Sequence, residues 1–399
     1  MSTSPWRADF PALAQATGTC AYLDSAAMTL RPNCVIDAVA NTYRSFPASV
    51  HRGQYAWAES TTAAFEHARE RTARRLNALK QEIVFTKNCT EAINIVAHGL
   101  SLSRDDEVLV PVFEHHSNYL PWRRVARVRE IGMTRDGRVD LDRMEDAISR
   151  KTAVIALTYA SNVTGVIQPI EQVVALAKKH GLITVVDGAQ AASHLRIDVE
   201  ALGCDFMALS SHKMFGPAGV GVLWGREDSS KRLAVYSTGG GMVDRVGQEI
   251  SYLPDGRRFE AGTANIEGVI GFAAALDYAE RAEEGQMNAH VARLAARCRS
   301  GLERLSDVIE LPFHYDAPSI PILSFKARNP DMSAARLASI LSDTYGVFVR
   351  DGVHCCQPLF TYTKVRDALR VSLQCYNDED DVDRLLDALE NMRPLLAGA

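Results

Sequence analysis

Between about residue 80 and residue 225, short apolar runs alternate with amphipathic stretches, and this rhythm constrains the fold more than any other feature of the chain. Candidate strands are Glu82 to Thr86, Glu107 to Pro111, Ala153 to Tyr159, Leu182 to Asp187, Phe206 to Ser210 and Gly219 to Trp224. From Ile170 to His180 the spacing predicts a helix, with Val173, Val174, Leu176 and Ala177 on one face and Gly181 as its stop. Strands alternating with helices imply an α/β fold with a mainly parallel sheet covered on both faces. Ligands in such sheets sit at the carboxyl ends of the strands. Here those ends carry Asn88 to Thr90, His115, Asn162, Asp187 and Lys213.

The last third changes character. Met287 to Leu305 and Ser333 to Thr344 read as helices around a strand at Ile320 to Phe325. A final helix opens among Asp378, Glu379, Asp380 and Asp381, whose charge suits a helix N-terminus. A smaller α+β domain is expected there, with a soft boundary near residue 275.

Lys213 and Asp187 stand where apolar runs end, in Ser210-Ser211-His212-Lys213 and Val185-Val186-Asp187-Gly188-Ala189-Gln190. Taken singly, each is as readily a loop lysine and a turn aspartate. Together they suit pyridoxal phosphate chemistry, in which an amine forms a Schiff base and a carboxylate holds the pyridine nitrogen protonated. Thr86-Lys87-Asn88-Cys89-Thr90-Glu91 opens a helix whose amides, with the Thr90 hydroxyl, could hold a phosphate, although Thr90 could equally be an N-cap. His115, in Glu114-His115-His116, could lie over a cofactor ring and exchange protons.

A net charge of −5 without a basic block gives no footprint for nucleic acid. No run approaches the ~20 apolar residues that span a bilayer. The start, Met1-Ser2-Thr3-Ser4-Pro5-Trp6-Arg7, lacks a signal peptide's layout, so a cytoplasmic protein is expected. Eight cysteines without CxxC spacing suggest neither a disulfide scaffold nor a zinc site, and no metal is expected. Cys20, Cys34, Cys204, Cys298 and Cys375 read as small buried hydrophobes, whereas Cys355-Cys356 lies in a polar, turn-rich segment.

The segments Tyr22 to Ala27, Val50-His51-Arg52-Gly53, Glu114-His115-His116, Ser161-Asn162, Asp187 to Gln190, Ser211-His212-Lys213, Arg258 to Thr263 and Arg350 to Cys355 resemble, in order, the group II cysteine desulfurases. These are the SufS- and CsdA-like branch of the class V aminotransferases. The resemblance implies the fold-type I architecture: an N-terminal segment 1–23 against the small domain, a large domain 24–274 with a mainly parallel seven-stranded sheet, and a small C-terminal domain 275–399 carrying the Cys355 loop.

It further implies that Lys213 carries pyridoxal 5'-phosphate, Asp187 pairs with the ring nitrogen, Gln190 contacts the ring hydroxyl and His115 stacks on the ring. Thr90, Ser210 and His212 would hold the phosphate, and Thr263 would reach the cofactor of the neighbouring subunit in a homodimer. Arg370 would clamp the substrate carboxylate, with Asn162 near both substrate and cofactor and His51 also among the substrate-binding residues. Cys355 would take sulfur from L-cysteine, or selenium from L-selenocysteine, leaving alanine, and pass it to an acceptor protein or thiol. Another class V activity without a persulfide, or an idle homologue acting as a scaffold, remains the alternative.

Three departures stand out. Val353-His354 replaces two histidines before the nucleophile, leaving His354 or the cofactor to influence the thiol. Cys356 stands where a small residue is usual, either as inert packing or as a sulfur or redox partner of Cys355. Cys89 takes the place of a hydroxyl residue and is expected to contribute its backbone amide alone.

Overall fold

The computed structural model describes residues 3–15, 20–313 and 316–397. Its larger sheet has seven strands: β1 Ile83–Thr86, β2 Glu107–Pro111, β3 Arg127–Ile131, β4 Thr152–Thr158, β5 Ile183–Asp187, β6 Phe206–Ser210 and β7 Gly221–Gly225. The spatial order is β1-β7-β6-β5-β4-β2-β3. β7 runs antiparallel to both of its neighbours, and every other pairing is parallel. β1, β2, β5, β6 and β7 are buried along their whole length, because helices cover both faces and leave no solvent side to alternate toward.

All six runs read as strands from the sequence are strands, with ends displaced by two residues at most. The seventh, β3, escaped that reading. Its Arg127-Val128-Arg129-Glu130-Ile131 is exposed or half-buried up to Ile131 at the sheet edge, where charge discourages pairing with another chain, so it shows no apolar run.

A second sheet contains β8 Ile309–Glu310, β9 Ile322–Ala327, β10 Arg350–Gly352 and β11 Ala368–Ser372, in the order β8-β9-β11-β10, antiparallel throughout. Helices Met287–Arg304, Ala334–Tyr345 and Glu379–Asn391 accompany it, close to the expected spans. Asp378 caps the last of these in a reciprocal capping box with Asp381. A single helix, Ile266–Glu284, runs unbroken through residues 274 and 275.

The start of the chain folds against its end. Ala21–Tyr22 pairs with Val347–Phe348, Asp24 bridges to Ser372, and Phe10 packs on Tyr376 with ring centroids 4.7 Å apart. Arg7 donates to Asp381 at 2.8 Å. Residues 1, 2 and 16–19, part of the N-terminal segment 1–23 expected against the small domain, lie outside the described residues. Among the described residues, no helix is long and apolar enough to cross a membrane.

Candidate active site

At the carboxyl edge of the large sheet, β1 leads to Asn88, Cys89 and Thr90, β2 to His115, β4 to Asn162, β5 ends on Asp187, and β6 on Ser210 with Lys213 three residues later. These side chains, with Gln190, His212, His354, Cys355 and Arg370, line one cavity of about 240 Å³. Of the residues expected in the site, only Thr263 and His51 do not line it.

Asn88 rather than Thr90 caps the helix Cys89–Gly99, its Oδ1 accepting the Glu91 N–H at 2.9 Å. That leaves the Thr90 hydroxyl free for the cavity, where it lies 2.7 Å from Ser117 Oγ. The Cys89 amide donates to Ser210 Oγ at 2.9 Å, which ties the two loops together. β7 can pass beneath them because residue 221 is glycine: a Cβ there would lie 2.5 Å from the Asn88 backbone.

Asp187 is almost fully buried and accepts from Ala189 N–H at 2.9 Å. The Cys89 thiol also reaches it, with Sγ 3.3 Å from Oδ1, so Cys89 contributes its side chain as well as its amide. Burial beside Asp187 holds that thiol well above its usual pKa and keeps it protonated. Lys213 keeps some solvent contact as a residue, yet desolvation holds its amine below the ordinary lysine range while the Asp187 charge opposes the shift. His115 Nδ1 accepts the Ser117 N–H at 3.1 Å, which leaves a proton for Nε2. Desolvation, with Lys213 nearby, pulls its pKa down to about 3, and His212 falls to about 4 for the same two reasons. Gln190 Nε2 donates to Ala26 O at 2.9 Å.

The second sheet supplies the opposite wall. Arg370, 3 % exposed, donates to Asp24 Oδ1 at 3.0 Å and to Asn162 O at 3.1 Å, and its Nε has no partner among the described residues. Arg350, its cross-strand neighbour, reaches Asp24 Oδ2 at 3.7 Å. The Cys355 loop is pinned to the large sheet by Asn162 Nδ2 donating to His354 O at 2.8 Å and by His116 N–H donating to Cys355 O at 2.7 Å.

His354 and Cys355 both adopt left-handed backbone conformations, with φ of 49° and 55°, which carries Cys355 outward and Cys356 inward. Of the eight cysteines only Cys355 is exposed, and it faces the cavity. Cys356 is completely buried, where desolvation and nearby Glu114 push its pKa up. The imidazole of His354 is buried against Ala368 O at 3.2 Å, and desolvation lowers its pKa to about 3. It therefore shapes the loop as a neutral ring and offers Cys355 no positive charge. Cys204, Cys298 and Cys375 are buried as expected, whereas Cys20 and Cys34 are only half-buried.

Thr263 and His51 line a separate cleft of about 440 Å³ with Arg52, Arg257 and Glu260. There His51 Nε2 faces Glu66 Oε1 at 3.8 Å. His51, expected among the substrate-binding residues, thus lies on this second cleft and not on the cavity that holds Lys213. Sequence reasoning also passed over Asp24, Arg350 and Ser117. The first two stand inside the diagnostic segments, but the pairing of Asp24 with Arg370 joins residues 346 positions apart, which no local pattern signals.

Residues 21–385 match the family model for aminotransferase class-V. The chain is 41% identical to a probable cysteine desulfurase of Pseudomonas aeruginosa over 98% of its own length and 99% of the relative's. It is 36% identical to a cysteine desulfurase of Serratia proteamaculans, with 98% of each covered. Among solved structures, the cysteine desulfurase CsdA of Escherichia coli, in an S-sulfonic acid form, superposes with a TM-score of 0.90 at 34% identity, covering 99% of both chains. An apo cysteine desulfurase of Thermococcus onnurineus gives 0.90 at 32% identity, covering 98% of this chain and 99% of that one.

Proposed function

This chain belongs to the aminotransferase class-V family, and from that premise we propose that it is a pyridoxal-phosphate-dependent cysteine desulfurase. It converts L-cysteine to L-alanine and carries the sulfur away as a persulfide on Cys355. The observation that carries the reading is the placement of Cys355, the one exposed cysteine, on the same cavity as Lys213, Asp187 and Arg370.

The donor set fits the cofactor. A buried carboxylate, a desolvated amine, a neutral imidazole and a helix start bearing hydroxyls match, in turn, a protonated ring nitrogen, an aldehyde, a flat ring face and a phosphate. Lys213 would hold it covalently, Asp187 at the ring nitrogen, Gln190 at the ring hydroxyl, and Thr90, Ser210 and His212 at the phosphate, with Ser210 Oγ itself steadied by the Cys89 amide. When bound, pyridoxal phosphate acidifies the Cα–H bond of an amino acid by withdrawing electrons.

The protein's own steps follow from the placements. Arg370, fixed by Asp24 and Asn162 O and with its Nε unpaired, binds and orients the substrate carboxylate. Lys213, whose ammonium form is made less favourable by desolvation, takes the proton from Cα as the free amine and later returns one. His115, neutral with a proton on Nε2, would lie over the ring face and could donate a hydrogen bond from Nε2 to the substrate. Cys355 as thiolate attacks the substrate sulfur. The new S–S bond forms as the C–S bond breaks, its electron pair passes to Cβ, and a proton completes alanine. L-cysteine and the Cys355 thiol thus become L-alanine and the Cys355 persulfide, with no outside oxidant.

L-selenocysteine is a close second substrate, since selenium leaves more readily. The acceptor is a protein or low-molecular-weight thiol of the cytoplasm. The enzyme works as a homodimer, in which Thr263 serves the neighbouring cofactor and His51 the neighbouring substrate; their place outside the chain's own cavity supports this. Mass spectrometry after incubation with L-cysteine tests the reading. Alanine in solution and one extra sulfur on the peptide holding Cys355 are expected, and both disappear in Cys355→Ala. A Cys355→Ala protein that still forms alanine at the wild-type rate would overturn it.

A further inference from the structure

Cys89 takes no part in the reaction as proposed, yet its thiol is placed directly against Asp187. It is 4% exposed and its Sγ lies 3.3 Å from Asp187 Oδ1. The Ala189 N–H donates to that same oxygen at 2.9 Å. Oδ1 therefore takes both donors, while among the described residues no hydrogen bond reaches Oδ2.

We infer that Cys89 is a positioning residue for Asp187: its S–H pins Oδ1, so that Oδ2 is presented to the ring nitrogen of bound pyridoxal phosphate without loss of the carboxylate's charge. This rests on the cofactor reading above. A donor on a carboxylate both orients it and stabilises its charge, and the second effect lowers its affinity for another proton. A thiol is a weak donor, so it orients while withdrawing little charge. The backbone supports the same role, because the Cys89 amide is held by Ser210 Oγ at 2.9 Å. The thiol remains the donor of the pair, since burial beside Asp187 keeps it protonated. A serine at this position would shorten the bond and take more of the charge. An alanine would free the carboxylate to rotate.

Equilibrium dialysis of full-length Lys213→Ala protein, which binds the cofactor without a covalent bond, reads this directly. Adding Cys89→Ser or Cys89→Ala to that protein is expected to weaken pyridoxal phosphate binding about 2- to 10-fold, the range of one hydrogen bond. The 1-deaza analogue, with carbon in place of the ring nitrogen, should bind with and without either Cys89 substitution alike. Equal weakening of both ligands means that Cys89 merely packs the phosphate loop, and no weakening of either means that it does nothing for Asp187; each result overturns the inference. Asp187→Ala in the same background separates the two levels. If it selectively weakens the nitrogen-bearing ligand while the Cys89 variants do not, the inference fails and the cofactor reading stands. If the Lys213→Ala protein takes up no pyridoxal phosphate, both fail.

Discussion

Asp24 shows how much of a site can rest on a side chain that touches none of the chemistry. Its carboxylate sits between Arg370 at 3.0 Å and Arg350 at 3.7 Å, so it neutralises one guanidinium and sets the direction of the other. Arg370 is so deeply buried that desolvation holds its pKa below the usual value, with Asp24 as the main opposing charge. Asp24→Asn removes that charge and keeps the shape. The expected outcome is a KM for L-cysteine raised roughly 10- to 100-fold, the range for a hydrogen bond to a charged group, with a smaller change in kcat. Steady-state kinetics checks it, and an unchanged KM would contradict the role. Asp187, Lys213 and Cys355 were legible in the sequence because each stands beside a recognisable local pattern. Asp24 was not, since its partner is created only by the fold.

At the scale of elements, the phosphate end of the cavity depends on how closely two loops approach. Gly221→Ala would place a methyl 2.5 Å from the Asn88 backbone, and backbone cannot rotate aside as a side chain can. A loss of about 1–3 kcal/mol in stability is expected, as for overpacking, together with reduced cofactor content after purification. Thermal melting and cofactor absorbance read the two effects, and retention of both at wild-type levels would show that the loops can part. Strands buried on both faces announced themselves as apolar runs, and Ile170–Lys179 announced itself by helical spacing. β3 did not, because an edge strand's requirements are charge and exposure, which also describe a loop. Likewise, the capping role weighed for Thr90 passed to Asn88, a choice between neighbouring polar residues that only the turn geometry decides.

For the whole molecule, the separation of two clefts makes a prediction about subunits. A Lys213→Ala subunit lacks its own amine but still offers Thr263, and a Thr263→Ala subunit does the reverse. In the homodimer proposed above, unfolding and refolding the two variants together should restore fully formed sites to about a quarter of the total, because half of randomly paired dimers are mixed and each holds one intact site. No recovery would mean that Thr263 does not serve its neighbour.

A second global prediction concerns acid. Burial lowers His115 and His354 to about 3 and His194 and His212 to about 4, whereas the unfolded chain protonates them near 6.5. Their contribution to stability is complete above about 6.5 and is lost progressively as pH falls toward 4, because the unfolded state then binds the extra protons. Glu114, held above the ordinary carboxylate range by burial, works in the opposite sense. Melting temperatures of cofactor-free protein should therefore fall between pH 7 and pH 5, and a flat profile would contradict this.

The meeting of Asp24, Ser25 and Ala26 with Arg370, Tyr376 and Ser372 also bears on how the protein is made. Segments that must find each other across 346 positions close a very long loop, which is slow. During synthesis, the lysine, the aspartate and the phosphate loop leave the ribosome well before the arginine that completes the cavity. A nascent chain can thus raise most of its large sheet and gather the residues proposed to hold the cofactor while it still has no means of orienting a substrate. Chemistry on amino acids is withheld until Arg370 has emerged and folded back onto Asp24.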